Sequence, residues 1–228
     1  MRKLAIALSI SLAFISANAF AEGAADPQQM LMDGNARYVS GEAAKKDISS
    51  EKRMELTNGQ KPYAIVLTCS DSRVPPELIF DEGLGQLFVI RVAGNVIDPV
   101  TLGSVEYAAE HLKTPLLIIM GHSNCGAVKA ALEAKGKPEG NIGEIVKKIL
   151  PAIKKAKAAG KKEASETLDL AVQENVKNMY AETMKSKVVK ELSEEGKLKV
   201  ITAEYYLDSG KVVPVEVEKE HIKAAKAE

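Results

Sequence analysis

The sequence predicts an α/β fold: a mostly parallel central sheet of about four strands with an antiparallel edge strand, flanked by helices. Three short apolar runs, at 63–68, 87–92 and 116–120, are typical of strands that are buried on both faces. Helical patterns lie between these runs, and the alternation indicates parallel strands joined by crossovers. With 228 residues and 46% hydrophobic content, the chain is long enough to form one domain around a substantial core.

The second half of the chain predicts helices followed by an edge hairpin. Residues 141–195 have helical apolar spacing, and we expect Pro151 to kink or break this stretch and Gly160 to be a second candidate for a break. Two strands follow at 198–206 and 211–217, separated by a short turn. Pro214 in the last strand favours an edge position, because proline cannot donate a ladder hydrogen bond.

The N-terminus predicts export. Residues 1–21 combine two basic side chains, a short apolar run and small residues at Ala19 and Ala21, the pattern of a secretory signal peptide. The run is shorter than the roughly 20 residues of a permanent span, so we expect cleavage after Ala21, or alternatively Ala19, rather than an uncleaved anchor. The mature domain would then cover 22–228, begin with a helical arm at about 26–57, and be periplasmic if the source is Gram-negative.

The balance of charge argues against a polyanionic partner. The 31 basic side chains are matched by 31 acidic ones, and no arginine-rich stripe interleaved with aromatic residues is present. We therefore expect no nucleic acid among the partners of this protein.

The chain has two cysteines, Cys69 and Cys125, and each follows a predicted strand. A disulfide is the ordinary expectation for an exported protein. Metal ligation is the alternative, and His122 favours it, because sites in parallel sheets form beyond the carboxyl ends of the strands. Two thiolates and one imidazole with a fourth position open are typical of catalytic zinc. His111 and His221 lie in helical or C-terminal contexts, and we expect structural roles for them.

These residues resemble the signature of the β-class carbonic anhydrases. The pattern C-x-D-S-R is met at 69–73 and H-x-x-C at 122–125, and the RVAGN segment at 91–95 is similar too. The resemblance is specific from about Gln60 to Ala131 and looser across the rest of the mature chain. It implies one zinc ion (Zn2+) per chain and reversible hydration of carbon dioxide to bicarbonate and a proton by zinc-bound hydroxide.

The resemblance also implies roles for individual residues. The metal ligands would be Cys69, His122 and Cys125. Asp71 would orient the nucleophile and Arg73 would keep that carboxylate ionised; in some relatives the aspartate instead becomes a fourth zinc ligand and closes the site. The substrate-binding residues would be Gln60, Phe88, Tyr107 and Gly126.

Subclass and assembly follow from the same resemblance. Relatives with a regulatory bicarbonate pocket carry tryptophan three residues before the first cysteine, where this chain has Val66. Arg91 matches the arginine of that pocket, but we favour the plant-like subclass with an open zinc site. The cleft in this family lies at a dimer interface, which implies a homodimer or a dimer of dimers.

Other functions fit parts of the pattern. The same zinc chemistry can hydrolyse related linear molecules, such as carbon disulfide or carbonyl sulfide. A non-catalytic zinc-binding protein of the envelope is less consistent with the presence of both Asp71 and Arg73. A thiol-redox protein is disfavoured, because the spacing of Cys69 and Cys125 is unlike C-x-x-C.

Overall fold

The computed structural model describes residues 25–136, 138, 140–218 and 221, so the expected signal peptide lies outside the described residues. The centre of the described fold is a five-stranded sheet in the order β2-β1-β3-β4-β5. Its strands are β1 (Ala64–Thr68), β2 (Leu87–Arg91), β3 (Leu116–His122), β4 (Lys199–Tyr205) and β5 (Val212–Pro214). The first four are parallel and β5 is antiparallel to β4, which confirms the predicted fold class and the edge hairpin.

Helices cover both faces of the sheet. Within the described residues they are α1 (Pro27–Ser40), α2 (Ser50–Leu56), α3 (Pro76–Ile79), α4 (Pro99–Glu106), α5 (Gly126–Glu133), α6 (Ile142–Ala158), α7 (Ala164–Thr183) and α8 (Lys187–Glu194), with a 3-10 turn at Ala93–Asn95 and a π-helical turn at Tyr107–His111. In the segment expected to form an arm, the Asp26 side chain accepts from the N–H of Gln28 and caps α1. Asn35 connects α1 to the edge of the sheet, because its Nδ2 donates to the carbonyl oxygen of Gly210 between β4 and β5.

Helix α6 continues through Pro151, so of the two expected outcomes the break does not occur, and a kink there stays a prediction. Pro151 is exposed, whereas Ile149 and Ala152 on either side of it are buried against the core. The carbonyl that loses its N–H donor therefore lies on the solvent side, where water can bond it. The interruption falls at Gly160 instead, whose φ of +64° ends the helix.

The sheet separates two apolar layers. Strands β1 and β3 are buried along their whole length, and alternate side chains enter opposite layers, as Ile65 and Val66 do. Helix α7 lies close against β3 at Gly121, where a Cβ atom would be 2.7 Å from Cγ2 of Val176. The close packing fixes the end of β3, from which His122 projects. None of the helices in the described part of the chain is long and apolar enough to cross a membrane.

Candidate metal centre

The carboxyl ends of β1 and β3 bring three side chains together. Cys69 directly follows β1, His122 is the last residue of β3, and Cys125 lies just before α5. The two strands are parallel neighbours, with Thr68 beside Met120. The donor atoms of the three side chains all lie within 4.8 Å of one another, and all three residues are buried. The structure thus unites the three ligands predicted from the sequence.

His122 presents an unpartnered nitrogen to the two thiols. Its Nδ1 lies 2.9 Å from the carbonyl oxygen of Ser123, so Nδ1–H donates there and Nε2 carries the lone pair. Nε2 is buried without a hydrogen-bond partner among the described residues, which is costly unless a ligand occupies it. The sulfurs of Cys69 and Cys125 are free and 4.0 Å apart. Two thiols and one imidazole nitrogen form a donor set that fits zinc.

The two thiols titrate as a pair. Cys125 donates a hydrogen bond to Cys69, and the backbone N–H of Gly94 adds to its effect, so the pKa of Cys69 falls to about 4 despite burial. The hydrogen bond to Cys69, together with burial, raises the pKa of Cys125. Without metal the pair therefore keeps one proton, which a cation between the sulfurs would displace.

Arg73 binds both carboxylate oxygens of Asp71. Its Nε donates to Oδ1 at 2.9 Å and its Nη2 to Oδ2 at 2.7 Å. This pairing holds the pKa of Asp71 well below its usual range. Oδ2 of Asp71 also lies 3.8 Å from Nε2 of His122, so an ionised carboxylate borders the three donor atoms while Arg73 holds it in place.

The RVAGN segment supports the loop that carries Cys69 and Asp71. Arg91 donates from Nε to the carbonyl oxygen of Cys69 at 3.0 Å and from Nη2 to that of Asp71 at 2.5 Å. The N–H of Gly94 donates to Sγ of Cys69 at 3.2 Å. Arg91 thus binds the backbone of the ligand loop. The sequence pattern includes this segment but does not indicate its hydrogen bonds, which only the folded backbone reveals.

The four predicted substrate-binding residues lie in two places. Gly126 begins α5 beside Cys125, and the space around its Cα is open. Phe88 is the second residue of β2 and pairs in register with Ile65 near the start of β1, about 13 Å along the strand from Cys69. Gln60 is exposed just before β1. The Tyr107 ring packs 6.1 Å from that of Phe88, between ring centroids.

Within one chain, then, three of these residues lie at the amino edge of the sheet and the ligands at the carboxyl edge. Their roles stay predictions. The other two histidines lie outside the metal cluster. The side chain of His111 is 65% exposed, and His221 is buried, with Nδ1 3.1 Å from Glu218.

Fold and site together define an α/β protein in which two thiols and one imidazole that could hold a metal ion meet at the carboxyl edge of a parallel sheet. A family model described as carbonic anhydrase matches residues 64–212. This stretch contains all three candidate ligands, both members of the Asp71–Arg73 pair and four of the five strands in full. The chain belongs to the β-carbonic anhydrase family and is a lyase of that type.

Individual relatives agree with this assignment. The chain is 40% identical over 185 residues to the carbonic anhydrase of Mycolicibacterium smegmatis, covering 80% of this chain and 88% of that one. It is 39% identical over 186 residues to carbonic anhydrase 2 of Mycobacterium tuberculosis, with the same coverage. Among solved structures, the β-carbonic anhydrase CafA of Aspergillus fumigatus superposes with a TM-score of 0.70 at 27% identity, over 89% of this chain and 96% of that one. A Coccomyxa β-carbonic anhydrase in complex with acetazolamide gives 0.68 at 27% identity, over 84% and 87%.

Proposed function

We propose that the protein catalyses the reversible hydration of carbon dioxide to bicarbonate and a proton, with one Zn2+ per chain held by Cys69, His122 and Cys125. One observation carries the proposal: a buried imidazole nitrogen that has no hydrogen-bond partner in the described part of the chain lies within 4.8 Å of two thiol sulfurs. Zinc in such a site supplies a nucleophile near neutral pH, because it lowers the pKa of a coordinated water from about 15.7 towards 7.

The Asp71–Arg73 pair would orient that nucleophile. An ionised carboxylate only accepts hydrogen bonds. Asp71 would therefore accept a hydrogen bond from the attacking group, and the lone pair of that group would point at the substrate carbon. Arg73 occupies both oxygens, which restricts rotation of the carboxylate and disfavours its movement onto the metal. The geometry supports the plant-like, open form of the site over a form with Asp71 as a fourth ligand.

We also propose that a second copy of the chain completes the cleft. Gln60, Phe88 and Tyr107 are separated from the ligands by the length of a strand within one chain, yet Tyr107 is 47% exposed. A homodimer, or a dimer of dimers, would bring these residues of one copy to the ligands of the other. Carbon dioxide would then enter between an apolar and phenolic wall and the open space at Gly126.

Stopped-flow measurement of carbon dioxide hydration, with zinc quantified on the same sample, tests the proposed activity. We expect activity at about one zinc per chain over a range of pH, and a large loss in an Asp71→Asn variant that keeps its zinc. Zinc-loaded protein that is inactive at every pH would contradict the proposal, and carbon disulfide and carbonyl sulfide would be the next substrates to assay.

Export is a separate proposal, supported by the signal-peptide pattern at 1–21. Expression of the full chain in a Gram-negative host, followed by osmotic shock and intact-mass measurement, tests it. We expect a periplasmic protein that begins at Glu22 or Phe20. Full-length protein retained in the cytoplasm would contradict it.

A further inference from the structure

The sulfur of Cys69 receives a backbone hydrogen bond that depends on an unusual local conformation. The N–H of Gly94 donates to it at 3.2 Å in a buried position. Gly94 has φ +68° and its neighbour Asn95 has φ +45°, so two consecutive residues are left-handed. Glycine adopts this conformation freely, and asparagine does so more readily than most other residues.

Space alone does not hold this turn. A Cβ atom at Gly94 would lie 2.8 Å from Cδ1 of Ile149 and 3.1 Å from Cβ of Ala127. These contacts require glycine and limit movement towards α5 and α6. They are apolar, however, and form no hydrogen bond with the peptide. A polar contact on the other side is needed to fix the direction of the N–H.

Asn175 makes that contact from α7. It is fully buried, and its Nδ2 donates to the carbonyl oxygen of Gly94 at 2.8 Å, across 81 residues of sequence. The same Nδ2 lies 3.5 Å from Oδ1 of Asn95. A single amide thus holds the peptide that follows Gly94, on the opposite side of the Gly94 Cα from the N–H that donates to Cys69.

We propose that Asn175 is a positioning residue for the metal centre: it holds Gly94 so that the N–H remains on the Cys69 sulfur and retains the metal there. The Gly94 N–H bonds the Cys69 sulfur at 3.2 Å and so fixes where this ligand lies relative to the other two donor atoms, and outer-shell partners that orient a ligand in this way strengthen metal retention. A thiolate that keeps this donor leaves zinc more slowly. The inference rests on the proposed zinc site and extends it to a residue outside the signature.

Only one half of the Asn175 amide is satisfied. Oδ1 of Asn175 is buried and has no hydrogen-bond partner among the described residues. A buried acceptor without a partner costs about 1–3 kcal/mol; an apolar side chain of similar volume would avoid this cost but would leave the carbonyl oxygen of Gly94 without its donor. Asparagine at this position therefore contributes something that packing does not require, namely the donor to Gly94.

A matched pair of variants separates positioning from stability. Asn175→Ala removes the donor, and Asn175→Ser retains a shorter one. Asn35→Ala is the control, because Asn35 is also buried and its Nδ2 donates to the carbonyl oxygens of Ile79 and Gly210, on the α1 side of the sheet away from Cys69. All variants are prepared as the zinc-loaded chain from residue 22 to residue 228, and thermal unfolding is recorded for each.

The first measurement is the rate at which zinc transfers to excess chelator. We expect Asn175→Ala to lose zinc roughly 10- to 100-fold faster than wild type, the usual effect of removing an outer-shell partner, with partial recovery in Asn175→Ser. Asn35→Ala should lose zinc at the wild-type rate even where its unfolding temperature falls equally. Equal rates in Asn175→Ala and wild type, or equal acceleration in the control, would overturn the inference.

The second measurement needs no variant to fold. In 15N-labelled wild-type protein loaded with cadmium-113, the Gly94 amide should show scalar coupling to the metal through the sulfur, and its absence would also overturn the inference. The result separates the two proposals. Wild type that binds no zinc contradicts both, whereas wild type that binds zinc and hydrates carbon dioxide, with Asn175 variants like the control, contradicts only the positioning role.

Discussion

The guanidinium of Arg73 donates to both carboxylate oxygens of Asp71, at 2.9 and 2.7 Å, while one of these oxygens lies 3.8 Å from the nitrogen that His122 presents to the metal site. The backbone N–H of Arg73 adds a third hydrogen bond to the same carboxylate, at 3.0 Å. The carboxylate is therefore fixed in both charge and direction before any substrate arrives. Such fixed orientation is what lowers the cost of proton positioning in the transition state.

We expect Asp71→Asn to lower kcat/KM for carbon dioxide hydration by roughly 10²-fold or more, because an amide places N–H groups where an acceptor is required. Zinc content should remain at the wild-type level, since the cluster of three donor atoms does not include Asp71. Stopped-flow assays with parallel metal analysis check both statements. A variant with wild-type kcat/KM would remove Asp71 from the mechanism, and one that loses zinc would make it a ligand.

The carboxylate of Asp81 should make stability depend on acidic pH. Burial by itself raises its pKa, but Lys46, Arg37 and the N–H of Ala44 outweigh burial and lower the pKa to about 2. A group whose pKa is lower in the folded than in the unfolded chain stabilises above its unfolded pKa of about 3.9 and loses this effect as pH falls towards 2.

We therefore expect Asp81→Asn to reduce the free energy of unfolding by about 1–3 kcal/mol at pH 7, with the difference from wild type shrinking below pH 4. Urea unfolding of metal-free protein at several pH values measures this without interference from zinc release. A deficit that stays constant down to pH 2 would show that Asp81 acts by packing and not by charge.

Gly121 should tolerate no side chain, because α7 lies too close. A Cβ there would be 2.7 Å from Val176 and 3.1 Å from Val172, so Gly121→Ala would force β3 and α7 apart, at about 1–3 kcal/mol. His122 follows directly, so we expect weaker zinc retention as well. Gly103→Ala on α4 is the control: apart from the adjacent residues and the backbone of its own helix, no described atom lies within 4 Å of the position its methyl group would take, and alanine should be neutral or slightly stabilising in the helix. Equal behaviour of the two variants in thermal unfolding and metal analysis would contradict the account.

Removal of zinc should expose the cysteine pair to oxidation. With sulfurs 4.0 Å apart and Cys69 the more acidic, its thiolate would attack oxidised glutathione and release one glutathione thiol. Cys125 would then displace the second, so that two protein thiols become a disulfide and the oxidant takes up two electrons. Intact mass should fall by about 2 Da in chelator-treated protein, and reductant should restore zinc binding. Zinc-loaded protein in the same oxidant should stay reduced; if it oxidises as fast, the metal does not protect the pair.

The sequence was informative where burial and chain direction determine structure. The apolar runs predicted β1 and β3 because strands covered on both faces have few polar positions, and parallel pairing then placed Cys69 near His122. Backbone hydrogen bonds were beyond such reasoning. That Gly94 donates to Cys69 depends on two left-handed φ angles, and that Asn175 supports it depends on the packing of α7 across 81 residues. The helix does not break at Pro151, one of the two outcomes expected there, because Pro151 lies on the side of α6 that faces water, which the sequence rule does not consider.

Assembly of the cleft from two chains makes a prediction about mixed oligomers. If Gln60 of one copy serves the ligands of the other, a hybrid of an Asp71→Asn chain and a Gln60→Ala chain contains one site with both defects and one with neither. Random pairing of equal amounts makes half the dimers hybrid, so mixing after brief dissociation should restore roughly a quarter of wild-type activity.

Each parent alone should remain well below that level, with Gln60→Ala retaining its zinc. The complementary mixture needs two controls: each parent taken through the same dissociation, and a covalently linked dimer carrying both substitutions in one half. The linked dimer should stay impaired at both sites, because one site would lack Asp71 and the other would lack Gln60. Activity of the mixture equal to the mean of its parents would mean that Gln60 acts within its own chain or not at all, since only an exchange of residues between chains can create an intact site from two defective ones.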